Sequence, residues 1–160
     1  MRFTHKLFYP RSVEDTVEMM RDPRFHQLRD AQLHAHTEPV EEVDGGFVIR
    51  TLAQVDPDSL PSAVRKFAKG APEVAVEEKW DADDASARTV VKVGSFPVSV
   101  SFDSQLLPAE GGCERRLEGE VSVRIPLVGA KLEKQAVAHI DQINAVEERI
   151  AQQYWDGAGQ

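Results

Sequence analysis

The chain has 160 residues, 41% hydrophobic and 29% charged, with a formal net charge of −8. That length suits one domain, 1–160, with a real core, and the composition is ordinary for a globular protein. The acidic balance excludes a duplex nucleic-acid binder, which needs a basic surface to displace counterions.

Cys113 is the only cysteine, so no internal disulfide can form, and a lone thiol fits a reducing compartment. The start, Met1 to Leu7, lacks the apolar run of a signal peptide. No stretch approaches the roughly 20 apolar residues of a membrane span. The expectation is a cytoplasmic protein with no stably inserted segment.

Phe3, Leu7 and Tyr9 fall at odd positions of 2–9 with Thr4 and Lys6 between them, which predicts a strand that Pro10 ends. Ser12 is placed to cap a short helix that carries Glu14 and Asp15 in its first turn and Val13, Val17 and Met20 on one face. Asp22-Pro23 breaks it, and a second short helix over about 24–33 presents Phe25 and Leu28. Two strands follow, 36–43 and 47–55, joined by the hairpin signal Asp44-Gly45-Gly46. Phe47, Ile49, Thr51, Ala53 and Val55 share one face of the second.

Residues 59–69 interrupt the sheet pattern. Leu60, Val64 and Phe67 have helical spacing, with Ser59 as cap, Gly70 as stop, and Arg65, Lys66 and Lys69 on the other faces. Period two then resumes in four strands. Their alternating sets are Val74, Val76, Glu78 and Trp80; Thr89, Val91 and Val93; Val98, Val100, Phe102, Ser104 and Leu106; and Leu117, Gly119, Val121, Val123 and Ile125. The pattern from Pro126 to Trp155 is one long amphipathic helix, about 40 Å at 1.5 Å per residue. At about 100° per residue, Val128, Leu132, Ala136, His139, Ile143, Val146, Ile150 and Tyr154 form its apolar stripe.

The order of strand, two short helices, about six more antiparallel strands and one long helix resembles the helix-grip fold of the START-like superfamily, which includes polyketide cyclases and lipid-transfer domains. Two passages carry the likeness: Tyr9-Pro10 through Asp22-Pro23, where a strand ends at proline and a helix closes at Asp-Pro, and Ile125-Pro126-Leu127-Val128-Gly129, the entry into the last helix. The chain is most similar to an uncharacterised actinobacterial family of that superfamily. Val17 departs from it, standing where an aromatic residue is common. The resemblance implies an α+β fold, a strongly curved antiparallel sheet of about seven strands wrapped around the C-terminal helix, with a cavity between them. It implies a small hydrophobic ligand, lipid-like or polyketide-like, held there without catalysis. A cyclase or dehydratase-like enzyme and a protein-interaction domain with a filled core are the alternatives, since a fold does not fix a function.

Such a cavity is expected to be lined by Ile49, Phe67, Glu78, Trp80, Val91, Val100, Phe102, Leu132, Ala136, His139 and Ile143. His139 interrupts the apolar stripe and is either a polar handle for a ligand or a structural histidine with a partner in the sheet. Glu78 shares a face with Val76 and Trp80. If inward, it needs a partner, Arg115 or His139, or a proton; if a bulge turns it outward, it needs neither. An acid–base pair of Glu78 and His139 would support the enzyme reading.

His34 and His36 share a predicted strand face, but no Cys pair or His-Glu-x-x-His pattern supplies further ligands, so no metal is expected. Cys113 reads as a turn-edge thiol. No phosphate loop or dinucleotide fingerprint is present, so no cofactor is expected. The basic segment 59–69 reads as a surface helix or as a lid that makes transient membrane contact.

Overall fold

The computed structural model describes residues 1–60, 62–65 and 71–158. In chain order it comprises β1 (Arg2–Tyr9), α1 (Val13–Arg21), α2 (Pro23–Leu33), β2 (Ala35–Thr37), β3 (Glu41–Val43), β4 (Gly46–Gln54), a 3-10 turn (Pro57–Ser59), α3 (Ser62–Arg65), β5 (Glu73–Asp81), β6 (Ser86–Val93), β7 (Val98–Ala109), β8 (Gly112–Val123) and α4 (Gly129–Ala158).

The eight strands form one antiparallel sheet, in the order β1-β8-β7-β6-β5-β4-β2, with β3 also paired to β4. The predicted strand over 36–43 is two pieces. β2 pairs with Thr51 to Ala53 and β3 with Gly46 to Val48, so both lie along the free edge of β4. Pro39 falls between them, and a proline has no N–H to give to the ladder. His34 is not in a strand. It ends α2 in the left-handed conformation, φ 51°, so it shares no strand face with His36.

The helix boundaries follow local chemistry. Ser12 accepts a hydrogen bond from the Asp15 amide at 3.1 Å, and Asp22 both ends α1 and caps α2 by accepting from the Arg24 amide at 2.9 Å. Asp22 also accepts a hydrogen bond from the Tyr154 hydroxyl at 2.6 Å, which ties the end of α4 to the α1–α2 junction. Ahead of α3, Asp56 caps the 3-10 turn: its carboxylate accepts from the Asp58 amide at 2.9 Å and opens the turn at Pro57. Ser62–Arg65 is helical; Lys66 to Gly70 lie outside the described residues.

Two apolar clusters fill the concave side. One lies under α1, α2 and the C-terminal half of α4 and holds Leu7, Tyr9, Met19, Met20, Phe25, Phe47, Trp80, Leu106, Ile150 and Ala151. The other gathers Leu132, Ala136, Val137 and Ile140 of α4 on Phe3, Val100, Val121 and Val123. Gly119 is required here, because a side chain would strike Phe102 and the Ser101 carbonyl. Phe3 and Phe102, each paired in register with Gly119, meet edge-to-face at 6.0 Å.

The long helix is present but its inner face differs from the predicted stripe. Asn144 is buried and Glu147 half-buried, whereas His139 is exposed. The buried face is rotated by roughly 60° at 100° per residue. Tertiary contacts decide it: α4 lies chiefly on β1, β8 and α2, which selects Ile140, Asn144 and Ala151 over the side bearing His139.

Candidate site between the last helix and the sheet

Strand register lays the inner face out in rows. Phe47, Trp80, Ala87, Ser104, Leu117 and His5 form one row across β4, β5, β6, β7, β8 and β1. Ile49, Glu78, Thr89, Phe102, Gly119 and Phe3 form the next. Thr51, Val76, Val91, Val100 and Val121 follow, and then Ala53, Val74 and Val93. Valines therefore line the end of the sheet facing the start of α4, and polar groups occupy its middle.

The polar group at the centre is Glu78, 6% exposed. Its carboxylate meets Arg29 of α2 at 3.3 Å and Arg115 of β8 at 3.5 Å. Arg29 also meets Glu147 of α4 at 3.1 Å. Arg115 donates through Nε to Ser104 Oγ at 3.0 Å, and its guanidinium stacks 4.9 Å from the Trp80 ring. Two arginines and two glutamates thus form a neutral buried set joining four elements.

Burial alone would push the Glu78 carboxyl up, but Arg29 and Arg115 outweigh it and hold it below the usual carboxylate range. Tyr9 lies against the same set. Its hydroxyl is buried beside Arg115 without an aligned hydrogen bond, and burial followed by the nearby Glu147 charge raises its pKa. Burial, then the Arg29 charge, lowers that of His26, whose Nε2 lies 2.6 Å from the Met20 carbonyl.

The expected site residues divide into three groups. Ile49, Glu78, Trp80 and Val100 are buried and inward. Val91, Phe102, Leu132, Ala136 and Ile143 are half-buried. His139 is exposed on the outer side of α4, so it does not join Glu78, and no acid–base pair of those two forms. Phe67 lies outside the described residues. Of the two partners considered for Glu78, Arg115 is the one it meets, and the carboxylate is buried, not turned outward by a bulge. Arg29 and Glu147 were not foreseen. The one available signal was Arg29, which follows Phe25 by one helical turn and shares its face. Among the described residues no cluster of His, Cys, Asp and Glu could hold a metal ion.

Cys113 is not a turn-edge thiol. It is fully buried on β8 with its sulfur 3.2 Å from the Thr16 hydroxyl, and burial raises its pKa.

Val74, Val76 and Val93 of the sheet and Ile143 of the helix point inward, stay half-buried and join neither apolar cluster. Two concavities lie on the other face of the sheet. One, about 850 Å³, follows the outward row Lys6, Arg116, Gln105, Ser86 and Asp81; the other, about 250 Å³, lies over Arg50, Glu77 and Lys92. Both are lined by charged cross-strand neighbours on the outer face, so the volumes do not mark the apolar side.

A family model described as a protein of unknown function, DUF2505, matches residues 4–155. The chain belongs to that family. It is 27% identical over 155 residues to an uncharacterized protein of Mycobacterium tuberculosis, covering 89% of each chain. Among solved structures it is similar to a protein of Thermus thermophilus, with TM-score 0.62, 17% identity and coverage of 96% of this chain and 99% of that one. It is also similar to the Zhui aromatase/cyclase of a Streptomyces species, with TM-score 0.60, 11% identity and coverage of 100% and 96%. At these identities the likeness establishes the helix-grip fold of this DUF2505 chain. No helix among the described residues is long and apolar enough to cross a membrane.

Proposed function

We propose that this protein binds a small hydrophobic molecule in the cleft between α4 and the valine rows of β5 and β6. The observation that carries the reading is the partial exposure of Val74, Val76, Val93 and Ile143. They face a concave surface, yet no side chain of either cluster covers them. An apolar ligand laid there would gain about 25 cal/mol for each Å² it removes from water.

The floor of the cleft is Glu78 with its arginines and Thr89. Because the charges there cancel, the site favours a neutral ligand over an ionic one. The role is binding or carriage without catalysis. Glu78 is held as a carboxylate by two arginines and is a poor proton acceptor, and the candidate histidine, His139, faces away.

Titration with an apolar fluorescent probe tests the proposal. Probe fluorescence should rise on binding and fall when a long-chain alcohol competes. Substituting Val76→Trp should abolish both. Probe binding that is unchanged in the Val76→Trp variant would place the probe elsewhere and count against the cleft.

A further inference from the structure

Leu127 stands at 105% of the reference exposure for leucine, with its backbone in the left-handed region at φ 71°. A bulky side chain rarely adopts that conformation, and it gains no contact within the molecule in return. The turn that holds it is not loose. The Gly129 amide donates to the Ile125 carbonyl and the Arg124 amide to the Pro97 carbonyl, each at 2.9 Å. Gly129 is buried, and a side chain on it would strike the Val123 carbonyl. The leucine is therefore presented on a fixed support beside the β6–β7 turn, where Phe96 and Pro97 are also half-exposed.

Charge distinguishes this rim from the rest of the surface. The chain carries a net −8, yet residues 85–102 and 121–132 contain no aspartate or glutamate and include Arg88, Lys92, Arg124 and Lys131. The two stretches meet at the Arg124–Pro97 hydrogen bond. Lys92, Arg124 and Lys131 are all exposed. Three acids border it: Glu73, whose carbonyl accepts from the Gly94 amide; Glu77, which lines an outer-face concavity together with Lys92; and Glu133, whose carboxylate lies 3.3 Å from the Met1 ammonium.

We infer that the rim formed by Leu127, Phe96 and Pro97 docks on an anionic lipid surface. Leu127 enters the acyl boundary, and Lys92, Arg124 and Lys131 rest against the head groups. An apolar tip ringed by cations is the chemistry such a surface recognises, and each cation near it strengthens binding roughly fivefold. The rim borders the valine end of the concave face, so docking would set the mouth of the cleft against lipid. This inference is independent of what the cleft holds.

Vesicle co-sedimentation tests it. The wild-type chain should sediment with vesicles of phosphatidylcholine and phosphatidylglycerol, much less with phosphatidylcholine alone, and should be released near 1 M salt, where the Debye length is about 3 Å. Leu127→Glu should weaken sedimentation at least tenfold, as should the double variant Arg124→Glu/Lys131→Glu. Val43→Glu, on β3, should leave it unchanged. Leu127→Gly gives a second readout, since it should raise the melting temperature by relieving the backbone while still weakening vesicle binding. Failure of the wild type to bind, equal binding by Leu127→Glu, or equal binding to both vesicle types would overturn the inference. So would a dimer that Leu127→Glu dissociates, which would assign the rim to a second copy. Vesicle binding by a chain that takes up no apolar probe would remove the cleft reading and leave this one standing.

Discussion

The guanidinium of Arg29 meets the carboxylate of Glu78 at 3.3 Å, with the side chains 10% and 8% exposed. Through its other amino group Arg29 holds Glu147 at 3.1 Å. One residue of α2 therefore locks the C-terminal half of α4 to the middle of the sheet. The N-terminal half of α4 has no such tie to β5 or β6 among the ion pairs of the described residues, and that is where the apolar side chains remain half-exposed.

Removing one member of this set leaves an unbalanced buried charge. Glu78→Gln is expected to cost about 3–5 kcal/mol, with Arg29→Met similar. The double variant Arg29→Met/Glu78→Gln should cost much less than the sum of the single substitutions. Urea denaturation of the four proteins measures the coupling, and strict additivity would contradict the pairing.

Acid should weaken the fold in two stages. His26 has its pKa lowered by burial and then by the Arg29 charge. The folded state thus binds its proton less readily than the unfolded chain. Its contribution is present above the unfolded value near 6.5 and is lost as pH falls from there through the lowered value. Glu78 is also lowered, and its contribution is present above about 4.5 and lost as pH falls further. His26→Gln should flatten the first stage and Glu78→Gln the second, as read from denaturation midpoints against pH.

Much of the architecture was legible because it rests on local signals. Period two marked the long strands, Asp22-Pro23 placed the break between α1 and α2, and Gly45-Gly46 placed a hairpin. The division of β2 from β3 rests on Pro39, which interrupts the ladder inside a stretch whose residues otherwise suit one strand. The orientation of α4 was not legible in the same way. Its apolar residues span a broad arc, and the face that turns inward is settled by contacts with β1, β8 and α2, not by the helix itself. That is why His139 stood out in the sequence while Asn144 and Glu147 occupy the interior. Glu78 shares a face with Val76 and Trp80, which left it either inward or turned out by a bulge, and its partner Arg29 lies 49 positions away, where no periodicity links the two.

Gly119→Ala should be disproportionately harmful for a single methyl group. The added carbon meets Phe102 and the Ser101 carbonyl, both held by the β7–β8 ladder. A loss of about 1–3 kcal/mol is expected from overpacking, visible as a lower melting temperature. An unchanged melting point would mean that β8 can shift against β7.

Cys113 should resist alkylation in the native protein. It is fully buried, and burial raises its pKa, so little reactive thiolate is present. Labelling with a thiol reagent should proceed only as fast as the fold opens and should become rapid in denaturant. Fast labelling of the native state would contradict its place against Thr16.

Native mass spectrometry of the purified protein, before and after organic extraction, tests the proposed cleft most directly. The cleft reading predicts a bound neutral, apolar molecule that extraction removes, and its loss from the Val76→Trp variant although that variant folds. A bare mass for the wild-type protein from every expression host, together with no uptake of an apolar probe, would contradict it.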